Sequence, residues 1–198
     1  MTVYLIIISC ILGYLLGSIP FGLVIVRLAG LGDIRKIGSG NIGATNVLRT
    51  GRKDLTALTL ICDSGKAALA AFLAFKYFGS QEIGLLTGCL SVLGHNFPVW
   101  LKFKGGKGVA TTIGVMLVTS FYSGASVCAI WLFMAFVFKK SSLSALTALF
   151  LAPFLGFYFA GANVAIFYAF LTILSFIRHH ENIKRLLRGE ESNIKINK

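Results

Sequence analysis

Charged side chains are scarce in this sequence, and acidic ones are scarcest. Asp, Glu, Lys and Arg make up 13% of its 198 residues, and only 7 of them are acidic. A water-exposed surface usually carries charge at about a quarter to a third of its positions. Most of this chain's surface therefore does not face water. Close cysteine pairs are also absent. Cys10, Cys62, Cys89 and Cys128 each lie alone in an apolar run. That speaks against disulfides and thiolate metal sites and leaves them as small buried hydrophobes. No basic residue precedes Arg27, and no small-residue cleavage site follows the first apolar run. This segment is therefore expected to stay in the membrane rather than leave as a signal peptide. Two catalytic signatures are missing as well. There is no Gly-x-Ser-x-Gly nucleophile elbow. Around Lys107 the Walker A pattern fails at both ends, with Leu101 and Gly108 where Gly and Ser/Thr are needed, so ATP is not implied.

What the chain does contain is apolar sequence: 56% of residues are hydrophobic and the mean hydropathy is +0.81. The apolar residues come in long runs, the mark of a polytopic, all-α membrane helix bundle, here read as one domain over residues 1–198. The formal charge is nevertheless +12, so the basic residues must cluster. With so much of the chain in lipid, a nucleic-acid partner is excluded. Membrane lipid headgroups or an anionic substrate account for the charge.

The runs divide into seven expected spans. The first is Val3 to about Val26, with Gly13, Gly17 and Ser18 forming a small-residue stripe suited to close helix packing. Asp54 to Phe78 is the second, and Gln81 to about Trp100 the third, ending near Pro98. Val109 to Phe138 is too long for one span, about 45 Å as a helix against a hydrocarbon core of about 30 Å. It is expected to turn within Thr119–Gly124. Leu143 to Ile177 is expected to turn within Phe159–Asn163. With the N-terminus outside, seven crossings place every basic residue except Lys66 and Lys76 on the inner side, the C-terminal tail included. Six crossings would send the basic tail outside, and five would send Lys139-Lys140 outside, both against the positive-inside bias.

Three polar segments then share the inner face. Gly38-Ser39-Gly40-Asn41-Ile42-Gly43-Ala44-Thr45-Asn46-Val47-Leu48-Arg49 offers backbone donors, hydroxyls, amides and a bidentate cation, and no acid lies between Lys36 and Lys53. Lys102-Phe103-Lys104-Gly105-Gly106-Lys107-Gly108 combines three lysines with three glycines just ahead of a helical run, a natural anion seat. The tail from Arg178 to Gly189 groups Ile183, Leu186 and Leu187 on one helical face, with Arg178, Asn182 and Arg185 on another. It reads either as a cationic helix gripping lipid headgroups or as part of a site in which His179 serves as base or orienter. Inside the second span, Asp63 and Lys66 are three apart and face the bundle, as a structural ion pair in preference to a substrate contact. His95-Asn96 either lines the cavity or bonds backbone freed by Pro98.

Taken together, Gly38 to Asn46, Gly94-His95-Asn96-Phe97-Pro98 with Phe103 to Thr111, and Arg178-His179-His180-Glu181-Asn182-Ile183 resemble the three motifs of the bacterial acyl-phosphate:glycerol-3-phosphate acyltransferases, the PlsY family. The resemblance covers essentially the whole chain. It implies a seven-helix bacterial inner-membrane enzyme with a cytoplasmic active site. Such an enzyme passes a fatty acyl group from acyl phosphate to the 1-hydroxyl of sn-glycerol 3-phosphate. A soluble enzyme would supply the acyl phosphate, and no cofactor or metal is implied. By motif position, Ser39, Lys107 and His179 would be catalytic. Gly40, Asn41, Thr45, Asn46, Arg49, Lys104, Gly105, Gly106, Gly108 and Asn182 would bind substrate phosphates. Asp63, Lys66, His95 and Arg178 would line or support the site. The chemistry suits these residues. An acyl phosphate is already activated, so direct attack needs no covalent intermediate. Two phosphates of about −2 each, about 6 Å apart at an effective dielectric of about 20, repel by about 11 kcal/mol, so several cations are required. The competing reading is a small transporter for a phosphorylated anion. That class is expected to show polar residues through the bilayer and an internal repeat, and neither is evident here.

Overall fold

A computed structural model describes residues 2–194 of the chain; Lys195 and Lys198 of the basic tail lie outside it. The described residues form helices and no strands: α1 (Thr2–Gly17), α2 (Phe21–Leu28), α3 (Ala44–Val47), α4 (Lys53–Phe78), α5 (Gln81–Asn96), α6 (Val109–Thr119), α7 (Phe121–Phe138), α8 (Ser141–Ala160), α9 (Ala162–Arg178) and α10 (His180–Leu187).

The expected first span is broken. Pro20 has no N–H and disfavours helical backbone at Ile19. The chain bends by 41° between α1 and α2. The third run ends its helix at Asn96 instead of continuing to Trp100, because Phe97 precedes Pro98 and leaves helical geometry. Both expected turns are present. Ser120 takes extended backbone between α6 and α7, and Gly161 (φ +89°) separates α8 from α9.

Three helices, α4, α7 and α8, are long and apolar enough to cross a membrane alone, and five spans result if each bent pair (α1–α2 and α9–α10) is taken as one. The shortfall from seven has a simple cause. α6 has 11 residues, about 17 Å of helix against a core of about 30 Å, and α5 has polar ends.

The outer surface of this integral membrane fold is apolar. Ile7, Ile11, Phe133, Phe136, Phe154, Phe157, Ile166 and Ile173 are all exposed, as lipid-facing side chains must be. The inner packing relies on small residues, as expected from the stripe on α1. Its only buried residues are Gly13 and Gly17. A Cβ at Gly17 would stand 2.0 Å from the Ser91 carbonyl oxygen of α5, and one at Gly94 would stand 2.1 Å from that of Tyr14. Hence α1 and α5 touch backbone to backbone, the contact that van der Waals packing in lipid favours. Between the other helices, Ala67, Leu85, Val92, Met116, Val127, Leu149, Ala152 and Tyr168 make a continuous core.

The two ends of the bundle differ. At one end, Gln81 Nε2 donates to Thr119 O (2.6 Å) and Asn163 Nδ2 to Glu82 Oε1 (3.4 Å), so the α4–α5, α6–α7 and α8–α9 turns gather there. The basic loops gather at the other end.

Gly17→Val is expected to cost about 2–3 kcal/mol through overpacking against Ser91. Gly65→Ala, with open space around it, should be neutral or stabilising by up to about 1 kcal/mol. Thermal unfolding in detergent checks both.

Candidate active site at the basic end of the bundle

The first loop is folded around Asn46, which is 2% exposed. Its Nδ2 donates to the carbonyls of Ile34 (3.0 Å), Ile37 (3.0 Å) and Asn41 (2.8 Å). Its Oδ1 accepts from Ser39 N (3.1 Å) and Arg49 Nη1 (3.3 Å). Asn41 Oδ1 accepts from Gly43 N (2.9 Å), a local Asx turn. Thus Asn46, expected at a substrate phosphate, spends its amide on shaping the loop, while Asn41 gives its Oδ1 to a turn and also lines the cleft that Ser39 faces. What the loop presents is Ser39, exposed between Gly38 and Gly40, both at positive φ. Ser39 faces an open cleft of about 770 Å³ that is also lined by Arg27, Arg35, Lys104, Arg178 and Trp100. Asp33 sits behind two of those arginines, bonding Arg27 (2.9 Å) and Arg35 (2.6 Å), whose guanidinium groups hold its carboxyl well below the usual range.

The glycine–lysine loop caps helix α5. Gly105 N donates to Asn96 O (3.2 Å) and Gly106 N to His95 O (3.0 Å). On the other side, Arg178 Nη2 donates to Gly105 O (3.0 Å) and its Nε to Gly106 O (3.2 Å), with the guanidinium 5.1 Å from the Phe97 ring centroid. The N–H groups of Gly105 and Gly106, expected to face an anion, therefore close the orphan carbonyls of a helix end. Side chains are shut out here: a Cβ on Gly105 would meet His95 O at 2.2 Å. Lys104 points to the cleft, while Gly108 (φ +77°) turns the chain into α6.

Lys107 is the residue this loop delivers. Its Nζ donates to Asn182 Oδ1. Asn182 Nδ2 in turn donates to Glu191 Oε1 (2.6 Å). Glu191 also accepts from Ser142 Oγ (2.7 Å) and Arg185 Nε (2.7 Å). Burial raises the Glu191 pKa, but these three donors outweigh it and leave the carboxylate below its ordinary value. Arg49 reaches the same tail segment, donating from Nη2 to Ser192 Oγ (2.7 Å). Thr45 Oγ1 lies 2.9 Å from Ser141 Oγ at the start of α8. First loop, glycine–lysine loop, α7–α8 junction and tail thus meet in one place. Glu191, Ser141, Ser142 and Ser192 were missed by sequence reasoning. A signal existed in the tail, which holds three of the seven acids, Glu181, Glu190 and Glu191, but nothing in it singles out Glu191.

His179 marks a 65° bend between α9 and α10 and is 2% exposed. Its Nδ1 lies 2.8 Å from Ser175 O. A carbonyl only accepts, so Nδ1 carries the proton and the Nε2 lone pair is left for another partner. Burial, then the charge of Lys107, pushes the imidazole down to about 4, so it is neutral at physiological pH. Burial also lowers Lys107 to about 8, with Glu191 partly opposing that shift and Arg185, Arg178 and Arg49 adding to it. The last expected residues, Asp63, Lys66 and His95, lie together inside the bundle. Lys66 Nζ is 2.9 Å from Asp63 Oδ1, the expected ion pair, and 2.9 Å from His95 Nδ1.

Such a fold and site define a class: an all-helical integral membrane protein that gathers lysine, arginine and a neutral histidine at one end, suited to a phosphorylated anion. The model of the family described as glycerol-3-phosphate acyltransferase matches residues 7–189. The glycerol-3-phosphate acyltransferase of Rhodospirillum rubrum is 58% identical over 189 residues, covering 92% of this chain and 88% of its own. That of Maricaulis maris is 59% identical over 182 residues, covering 92% and 84%. The crystal structure of PlsY (YgiH), an integral membrane glycerol 3-phosphate acyltransferase, in its glycerol 3-phosphate form superposes with a TM-score of 0.90 at 40% identity, over 96% of each chain. The chain belongs to the glycerol-3-phosphate acyltransferase family.

Lys107 is cationic below about pH 8 and loses its charge above. Affinity for inorganic phosphate is therefore expected to fall as pH rises past 8, approaching about tenfold per pH unit. Lys107→Arg should abolish that fall, and Glu191→Gln, which removes the carboxylate supporting the ammonium, should move it to lower pH. Isothermal titration across pH 6.5–9.5 reads all three.

Proposed function

We propose that this chain transfers a fatty acyl group from an acyl phosphate to the 1-hydroxyl of sn-glycerol 3-phosphate, giving lysophosphatidic acid and phosphate. The observation that carries this reading is the convergence of Arg49 and Lys107, from two separate loops, on adjacent parts of one tail segment. Two cations from different loops suit two phosphates, whose mutual repulsion of about 11 kcal/mol at 6 Å must be offset before the substrates meet. Lys104 and Arg178 extend the positive surface into the cleft, where Ser39 adds a hydroxyl.

The acyl phosphate is a mixed anhydride with phosphate as leaving group. The glycerol hydroxyl attacks its carbonyl carbon, the bond to the phosphate oxygen breaks, and the hydroxyl proton leaves. Lys107, or the Ser39 hydroxyl, donates to the oxyanion that develops. With its pKa near 4, His179 is a weaker base than a substrate phosphate dianion, whose second pKa is about 6. His179 Nε2 therefore accepts a hydrogen bond from the attacking hydroxyl and orients it, while the phosphate takes the proton. Neither cofactor nor metal is called for.

Seven crossings suit this chemistry. The basic loops and tail then lie together at the cytoplasmic face of a bacterial inner membrane, where a soluble enzyme delivers acyl phosphate, with the N-terminus outside. Their mutual contacts support an odd number of crossings, and α10 then lies along the inner interface, off the axis of α9. Residues 1–198 act as one unit, with the acyl tail held among lipid-facing helices.

Purified protein in lipid should release phosphate only when palmitoyl phosphate and glycerol 3-phosphate are both present, and palmitoyl-CoA should not replace the donor. Uptake of labelled glycerol phosphate into vesicles without turnover would instead make it a transporter. His179→Gln is expected to weaken glycerol 3-phosphate binding along with turnover; lost turnover with unchanged affinity would assign His179 as the base. Single cysteines replacing Lys36, Lys102 or Lys140 should label from the inner side, and cysteines replacing Ser80 or Asn163 from the outer side.

A further inference from the structure

Lys66 is 3% exposed, Asp63 2% and His95 4%, all inside the bundle. An ammonium has three protons, and each finds an acceptor. Asp63 Oδ1 is 2.9 Å away on the same helix, His95 Nδ1 2.9 Å away on α5, and Ile19 O 2.7 Å away in the break between α1 and α2. The Ile19 carbonyl belongs to the kink left by Pro20, where it accepts from Phe21 N (3.1 Å) in a tight turn and from Lys66 with its second lone pair. Because Lys66 donates, His95 Nδ1 accepts and the imidazole proton resides on Nε2. Buried ion pairs are costly, and well-packed hydrophobic residues often serve stability as well or better. Stability alone therefore does not account for this one.

The His95 ring explains its use. A Cβ on Gly106 would lie 2.0 Å from His95 Nε2, so the ring packs directly on the Gly106 backbone. The His95 and Asn96 carbonyls hold the Gly106 and Gly105 N–H groups, and Arg178 holds their carbonyls. The next residue is Lys107. An unbroken line of contact thus runs from the α1–α2 kink through Lys66 and His95 to Gly106, one residue from the ammonium that meets Asn182.

We propose that Asp63, Lys66 and His95 are positioning residues for Lys107: they fix the His95 ring as the floor on which the Gly105–Gly106 backbone rests, and so set where the Lys107 ammonium meets an anion. The inference rests on the reading of Lys107 as a phosphate ligand. Removing the triad leaves Lys107 chemically intact but badly aimed.

The test measures inorganic phosphate binding by calorimetry, with no acyl donor, beside thermal unfolding. Asp63→Asn combined with Lys66→Met removes both charges together. It is expected to keep or raise the melting temperature, while the Kd for phosphate rises about tenfold, equal to about 1.4 kcal/mol. Unchanged phosphate affinity in the folded double variant overturns the proposal. A second arm covers failure of that variant to fold. Gly106→Ala is expected to weaken phosphate binding in wild-type background and to add nothing in a His95→Ala background, since the clash is then gone. Independent, additive losses overturn the proposal, as does Lys107→Ala with wild-type phosphate affinity. Wild-type protein that binds phosphate yet turns over no acyl phosphate refutes the transferase reading alone and leaves the positioning role standing.

Discussion

Glu191 joins the parts of the site. One carboxylate accepts from Ser142 on α8, from Asn182 and Arg185 on α10, and through Asn182 reaches Lys107 ahead of α6. Without an anion at that point, Lys107, Arg49 and Arg185 would repel one another with only neutral acceptors, Asn182, Asn46 and Ser192, nearby. A cluster of cations needs such an internal counter-charge to hold together. One carboxylate shared among several donors still leaves net positive charge at this end of the bundle.

Several glycines and asparagines of the loops bond the scaffold. Gly105 and Gly106 terminate α5, Asn46 ties four backbone positions of the first loop, and Asn41 closes a turn. This follows from where the loops lie. They join helices at the edge of a low-dielectric region, where each unpaired N–H or carbonyl is expensive. Tightly bonded loops are rigid, and rigidity fixes the positions of Ser39, Arg49, Lys107 and His179. The cations, which lipid would expel from the bundle, are held at its basic end, except Lys76 at the far end of α4 and Lys66, which has three acceptors around it.

Much of this was legible in the sequence. Apolar runs marked every long helix, the Gly13–Gly17 stripe marked the face of α1 that meets α5, and the two over-long runs broke inside the expected windows, at Ser120 and Gly161. The Asp63–Lys66 pair followed from i, i+3 spacing. The bend at Pro20 was missed because apolar composition continues through it. That Asn46 and the Gly105 and Gly106 N–H groups bond backbone was not legible, because a loop amide reads the same in sequence whether its partner is backbone or a ligand. Glu191 went unnoticed because its partners are distant in sequence or lie across a turn.

Local composition and spacing determined, by themselves, the membrane environment, the helical class, the breaks within the two over-long runs and the concentration of cations in a few loops. These depend on the solvent each segment must enter and on helical period, which are properties of neighbouring residues. Tertiary structure alone decided which polar groups meet: Lys107 with Asn182, Arg49 with Ser192, Lys66 with Ile19 and His95. Hydrogen bonds are short-ranged and directional, so their pairing is set only when packing brings distant segments within about 3 Å.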